Sequence, residues 1–300
     1  MNKKKILITG ANGMLAHDFI RTQKERFTII ALGKKECDIC EFTSCLNALV
    51  TYEPNIVLNL AAYTNVDDAQ DIGIKQNMDI NAIGVYNLAK ATSALGIPMI
   101  TISSDYVFDG TKSDWYVPND SMNPINNYGI AKYLGENLAL RENSQSIVIR
   151  TSWLYGGDPW KYEWNGKIFK NFVNTILRLS EERKEIRVVD DQFGIPTSCK
   201  ALSIALWELI ERIDDFFYRD ERILHFTNST DHAISWHEFA REIISIRRSS
   251  VHIEPCTSSE YPTKAKRPAM SLLRNNSDIQ LENWNSALCK YLNNENIESY

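Results

Sequence analysis

Lys5-Ile6-Leu7-Ile8-Thr9-Gly10-Ala11-Asn12-Gly13-Met14-Leu15-Ala16 decides the fold. A short apolar run feeds directly into two glycines and then into a helical pattern. Such a turn lets the backbone approach a pyrophosphate, whose charge is met by the amides at the helix amino end. Outward from this stretch, short apolar runs recur at 27–32, 56–60, 98–103 and 146–150, with helical patterns between them at 76–94 and 128–141. Strand and helix in alternation imply right-handed crossovers and a parallel sheet covered on both faces. The predicted fold is therefore α/β, a doubly wound Rossmann-like parallel sheet.

Beyond residue 155 the rhythm changes. A loop rich in Gly, Trp and Tyr is followed by helical stretches near 168–183, 199–213 and 235–247. Residues 1–155 are read as the dinucleotide-binding domain. Residues 156–300 are read as a smaller, more helical substrate part, some of whose segments pack back on the first. Ligands of open α/β sheets bind at the carboxyl edge where the strand order reverses, so the cleft is expected between the two.

Composition excludes several classes. The chain has 300 residues, 44% hydrophobic, 24% charged and 10% aromatic, which is ordinary for a globular protein and unlike disordered or collagen-like chains. A net charge of −5 gives no general attraction to nucleic acid or anionic membrane. No apolar run approaches the roughly 18 residues of a membrane span, and the first is too short for a signal peptide. Six cysteines are too sparse for a disulfide framework in such a chain, so reduced thiols and a cytoplasmic location are expected. Cys37 and Cys40 form a Cys-x-x-Cys pair near Cys45, but no second ligand pair follows and no metal is predicted.

The glycine turn assigns Gly10, Asn12, Gly13 and Met14 to the cofactor phosphates. Ala16 stands where a third glycine is common, at a position that governs only helix-to-strand packing. The second strand ends at Leu32-Gly33-Lys34-Lys35-Glu36, without the acid at its end that would hold a ribose 2′-hydroxyl. Lys34 instead suits a 2′-phosphate, which favours NADPH, with NADH as the alternative donor. Asp38 and Ile39 are placed at the adenine, and Ala61, Ala62 and Tyr63 at the third strand end, where small side chains let a cofactor lie flat.

Tyr128 and Lys132 lie four apart in a helical pattern and share a face. A nearby ammonium is expected to pull the phenol's pKa down from about 10 toward the working pH. Ser104 follows a buried strand and offers a hydroxyl to a carbonyl oxygen. A tyrosine and lysine at this spacing are common on exposed helices; the phosphate turn and Ser104 make them chemical. Hydroxyl, phenol and ammonium at one oxygen suit hydride transfer to a ketone.

At these residues the chain resembles the extended short-chain dehydrogenase/reductase superfamily. Within it, the segments 59–67, 104–110, 150–156 and 191–197, and Arg267-Pro268 with Ser271 and Leu273, are similar to the dTDP-4-dehydrorhamnose reductase family. The resemblance implies that Tyr128 donates the proton, that Lys132 holds the nicotinamide ribose, and that Ser104 fills a place usually held by threonine. It also implies that Asp105 and Trp153 contact a sugar. Asn81 is either a brace of the site or a polar residue of helix packing. Arg267, with Lys264 and Lys266, is a candidate for the nucleotide diphosphate, or else part of a solvated basic surface. The implied reaction is reduction of dTDP-4-dehydro-L-rhamnose to dTDP-L-rhamnose; the alternatives are a C4-epimeric product or a non-catalytic regulatory subunit. The expected partner is the dTDP-4-keto-6-deoxy sugar, with a homodimer left open and neither nucleic acid nor membrane expected. The aromatic stretch 157–167 is longer than the family's usual loop and is read as a lid, and the family's magnesium-binding glutamates have no match here.

Overall fold

The computed structural model describes residues 3–157, 163–164 and 167–293. Its main strands are β1 Lys4–Thr9, β2 Phe27–Leu32, β3 Ile56–Asn59, β4 Met99–Ser104, β5 Ser146–Thr151, β6 Glu185–Val189, β7 Ile223–His225 and β8 His252–Cys256. Its helices are α1 Met14–Arg21, α2 Phe42–Tyr52, α3 Ile74–Met78, α4 Val85–Ala94, α5 Asn127–Glu142, α6 Phe172–Glu182, α7 Cys199–Glu211, α8 Ile213–Tyr218, α9 Trp236–Arg247 and α10 Trp284–Leu292. Six strands form one parallel sheet in the order β2-β1-β3-β4-β5-β7. The doubly wound reading holds. The chain runs outward from β1 to β2 and then returns to β3 on the other side of β1, so the order reverses between β1 and β3.

Alternation along β1 builds both faces at once. Ile6 and Ile8 point into a core made with Leu15 and Phe19 of α1 and Leu202, Leu206 and Trp207 of α7. Leu7 points the other way, into a core with Leu49 of α2 and Leu88 of α4. A third cluster joins α6, α9 and α10 to the parallel pair β6 and β8. The helical stretch expected over 76–94 is one run interrupted by a π-helical turn, Asp79–Gly84, between α3 and α4. The sixth strand of the main sheet, β7, comes from the later part of the chain.

Residues 263–274 form a strap over the carboxyl edge of the sheet. It is tied by Lys264 Nζ to Asp71 (2.7 Å), Asn126 Nδ2 to the Lys266 carbonyl (2.8 Å), Met270 N to the Gly110 carbonyl (3.2 Å) and Arg274 N to the Tyr116 carbonyl (2.9 Å). The greater part of the expected lid, 158–162 and 165–166, lies outside the described residues. No helix among the described residues is long and apolar enough to cross a membrane.

Trp207 shows what holds α7 to the sheet. It is fully buried, stacks on Phe19 at 4.2 Å between ring centroids, and donates from Nε1 to Thr22 Oγ1 at 3.2 Å. Trp207→Ala should cost about 3–5 kcal/mol, read as a lowered midpoint in urea denaturation. Tyr218→Ala, at a side chain that is 93% exposed, should change stability by no more than about 0.5 kcal/mol.

Candidate active site

The phosphate turn is built by close contact. Gly10 has φ +67°, and a Cβ there would lie 2.6 Å from the Ala61 backbone, so only glycine fits between β1 and the end of β3. Gly13 N donates to the Gly10 carbonyl at 2.9 Å and closes the turn. α1 follows an N-cap glycine, Gly13, which gives its first-turn amides no side-chain cap. The Gly10 turn thus meets Ala61 at the reversal of strand order, while the Asn12 side chain reaches to Gly33 beyond the end of β2. Lys34 and Asp38 sit one strand away at the end of β2 and pair at 3.6 Å, and Asp38 also accepts from Cys40 N at 3.1 Å. Ile39, expected to cover an adenine, is instead buried in the core against Gly84 and supports the segment from beneath.

Buried polar side chains fix the strand ends. Thr9 Oγ1 donates to Asn59 Oδ1 at 2.6 Å, and Asn59 Nδ2 donates to Thr101 Oγ1 at 3.0 Å, stitching β1, β3 and β4 just below the crevice. Asn81, in the π-helical turn, settles the choice left open from sequence. Its Oδ1 accepts from Tyr63 N at 3.1 Å, and its Nδ2 donates to the Tyr63 carbonyl and to Asn77 Oδ1, each at 2.8 Å. Asn77 in turn donates to the Asn127 carbonyl at 2.8 Å. Asn81 therefore braces the third strand end against the start of α5; Asn77 is a member that sequence reading missed.

α5 places the tyrosine and lysine. Asn126 caps the helix, its Oδ1 accepting from Gly129 N at 2.8 Å. A Cβ on Gly129 would come 2.1 Å from the Tyr106 carbonyl oxygen, and one on Gly135 would come 2.1 Å from that of Asn81. The helix therefore lies directly on the 105–107 turn and on the π-helical turn. Tyr128 lies close enough to the Ser104 hydroxyl to feel it, and its ring packs edge-on to Tyr106 at 5.9 Å. Lys132 is buried; its Nζ donates to the Ile102 carbonyl at 3.1 Å and lies 5.9 Å from the Tyr128 ring centre. The three predicted catalytic residues are brought together at the carboxyl end of β4.

Their electrostatics differ from the sequence expectation. Burial, and then the negative charge of Asp105, push the Tyr128 phenol above its ordinary value, with the Ser104 contact opposing. Lys132 does not offset this, because burial lowers the ammonium itself to about 8 against the opposing pull of Glu136. The phenol is thus held in its protonated form. Burial raises Asp105 to about 6, while hydrogen bonds from Ser271 and Ser104 work the other way. Ser104 Oγ donates to Asp105 Oδ1 at 2.9 Å and Ser271 Oγ to Oδ2 at 2.6 Å, so Asp105, expected to touch the sugar, sits behind Ser104 with both oxygens engaged.

Trp153 has φ +48°, an uncommon conformation for an aromatic residue and one that the surrounding packing must hold. It stacks on Trp236 at 3.5 Å, and Gly194 leaves room for its indole edge. Arg267 is engaged already: Nη1 and Nη2 meet the Asp67 carboxylate at 2.6 and 2.8 Å, and the guanidinium is hydrogen-bonded to Tyr106. This pair holds Asp67 below its usual value. Lys264 is likewise paired, with Asp71. No group of acids, histidines and cysteines suited to a metal ion occurs among the described residues.

Residues 4–297 match the family model described as the RmlD substrate binding domain. The spore coat polysaccharide biosynthesis protein SpsK of Bacillus subtilis is 36% identical over 96% of this chain and 96% of its own length. The dTDP-4-dehydrorhamnose reductase of Aggregatibacter actinomycetemcomitans is 33% identical over 99% of both. A crystal structure of the Bacillus anthracis dTDP-4-dehydrorhamnose reductase, in complex with NADP, superposes with a TM-score of 0.86 at 32% identity over 97% of this chain and 99% of that one. With its phosphate turn, its Ser104-Tyr128-Lys132 group and these likenesses along its whole length, this chain belongs to the dTDP-4-dehydrorhamnose reductase family of oxidoreductases.

Proposed function

We propose that this protein reduces the C4 ketone of dTDP-4-dehydro-L-rhamnose to dTDP-L-rhamnose, with NADPH as the preferred hydride donor. The observation that carries the reading is the convergence of Ser104, Tyr128 and Lys132 at the carboxyl end of β4, two strands from the Gly10 turn. The turn suits a dinucleotide: Gly10 leaves a cradle that a side chain would fill, and the first amides of α1 have no side-chain cap. Gly10, Asn12, Gly13 and Met14 would hold its diphosphate, Lys34 its 2′-phosphate, Asp38 its adenine, and Ala61, Ala62 and Tyr63 its flat approach to β3. The Bacillus anthracis relative with NADP supports this choice. When bound, NADPH supplies the hydride.

The protein's own groups do the rest. Tyr128 stays protonated at neutral pH and gives its proton to the oxygen of the reduced carbonyl. Tyr128 lies where negative charge develops on that oxygen, and the Ser104 hydroxyl, once turned from Asp105, adds a second donor there. Lys132, as an ammonium, orients the ribose and stabilises the phenolate left behind. Trp153, backed by Trp236, offers an apolar face to the 6-deoxy sugar. Arg267 and the strap it belongs to face the nucleotide diphosphate, which exchanges with Asp67 for the guanidinium. In this division residues 1–155 take the dinucleotide and 156–300 the sugar nucleotide, and the enzyme works in the cytoplasm.

Four measurements test this reading. NADPH consumption with dTDP-4-dehydro-L-rhamnose should yield chromatographically identified dTDP-L-rhamnose; the C4 epimer as sole product, or no turnover, would refute the assignment. Tyr128→Phe should lower kcat by about 10² or more. Gly10→Ala should weaken NADPH binding at least tenfold in fluorescence titration, because the new methyl meets the Ala61 backbone. In the pH profile, kcat/KM for NADPH should fall above about 8, where Lys132 of the free enzyme loses its proton.

A further inference from the structure

Asp105 and Ser271 extend the catalytic group away from the substrate. Asp105 is 2% exposed and Ser271 also 2%, and the two belong to segments 166 residues apart. Ser104 Oγ carries a single hydrogen, which it directs to Asp105 Oδ1 at 2.9 Å, while Tyr106 N donates to Ser104 Oγ itself at 3.2 Å. The Tyr128 phenol neighbours that Ser104 hydroxyl closely enough to feel it. Phenol, hydroxyl and carboxyl therefore stand one beside the next. Lys132, the other ionisable group on the same helix face, donates to the Ile102 carbonyl instead.

We propose that Asp105 is the proton reservoir that recharges Tyr128 through Ser104, and that Ser271, on the strap, is the positioning residue that holds the Asp105 carboxyl in line. The inference rests on the reductase reading above. After Tyr128 has given its proton to the alkoxide, Ser104 passes its hydroxyl hydrogen to the phenolate and accepts the carboxyl proton of Asp105. Tyr128 and Ser104 are restored, Asp105 is left as the carboxylate, and it takes its next proton from water between turnovers. No electrons move in this step.

The surroundings suit the role. Burial favours the neutral carboxyl and raises Asp105 to about 6, within reach of neutral solution, while the Tyr128 phenol lies well above it; proton flow from Asp105 to a Tyr128 phenolate is therefore downhill. The titratable and charged groups around Asp105 are Tyr106 on its own turn and Tyr128 on α5, with Arg267 on the strap next to Tyr106 and paired with Asp67; Lys132 faces the Ile102 carbonyl and Glu136. Ser271 stabilises the carboxylate, so it sets where the reservoir titrates.

Two readouts separate this proposal from the reductase reading. The first is kinetic. Recharging falls after hydride transfer, so kcat should show an inflection near pH 6, falling above it, that kcat/KM for the sugar nucleotide lacks. Asp105→Asn should remove that inflection and lower kcat tenfold or more. Ser271→Ala should move it upward by about one unit, the size of one lost hydrogen bond to a charged group. A merely structural serine would leave it in place. The second readout needs no substrate: carbon-13 NMR of aspartate carboxyls, with Asp105 assigned by its loss in the Asp105→Asn variant. Its titration near 6 and an upward shift in Ser271→Ala support the relay. An Asp105 titration in the ordinary range near 4, or an unmoved midpoint in Ser271→Ala, overturns it. So does a kcat inflection that survives in Asp105→Asn. Absence of turnover with the NMR result intact would fault the substrate and leave the reservoir standing.

Discussion

The seam between α5 and the two turns beneath it governs the rest of this site. Gly129 and Gly135 lie six residues apart, and each allows a backbone carbonyl to enter the space where a side chain would stand. Any larger residue would lift α5 off the 105–107 turn and the π-helical turn. A displacement of about 1 Å is enough to cost a large factor in a reaction that depends on near-contact geometry. Tyr128 and Lys132 flank Gly129 and Ala131 on this helix, so their positions follow from how closely the helix backbone is allowed to approach. The π-helical turn serves the same end: it presents the Asn81 carbonyl to Gly135 while the Asn81 amide grips Tyr63.

Close packing brings an electrostatic consequence. The same contacts that align Ser104, Asp105, Tyr128 and Lys132 remove them from water, and desolvation is the first cause of the shifts in the last three. Each shift favours the neutral form. For Asp105, neutral in the fold below about 6 and already ionised in the unfolded chain above about 4, the contribution to stability is fully present below the lower value and is lost as pH rises through the higher one. At neutral pH the folded protein therefore carries a destabilising buried carboxylate. Such strain is typical of residues retained for chemistry.

Much of the architecture was legible in the sequence because it is local. The apolar runs at 27–32 and 146–150 coincide with β2 and β5 almost to the residue, and 128–141 with α5. The glycine turn was legible for the same reason, since strand, turn and helix are consecutive. β7 was not, because three residues, Ile223–His225, carry no periodicity of their own and become a strand only by pairing with β5. The paired strands β6 and β8 depend on partners more than 60 residues apart. At the site, Tyr128 and Lys132 were read from their spacing and Ser104 from its place at a strand end, and the structure brings the three to one place. The direction of the Tyr128 shift was misjudged, since spacing gives the neighbouring ammonium but neither the depth of burial nor the carboxylate behind Ser104. Ile39 shows a similar ambiguity: an apolar residue at a strand end reads equally well as a ring cover or as core, and here it packs into the core.

The strap carries the remaining step from fold to function. It is irregular chain, and its ordering entropy must be met by its contacts. Those contacts fall on separate elements: Asp67 and Asp71 beyond β3, Asn126 at the start of α5, Asp105 at the end of β4, and Tyr116 in the following loop. Each of these elements contributes to the crevice, so the strap can settle only when the crevice is assembled. Its single bidentate ion pair, Arg267 with Asp67, is partly shielded from solvent, and removing either charge alone would leave the other uncompensated. A dianionic diphosphate arriving at Arg267 would compete with Asp67 for the same guanidinium. On the proposed reading, substrate binding and strap order would be linked through one side chain, and Ser271, four residues further on, would carry that link to the carboxyl behind the Ser104 hydroxyl.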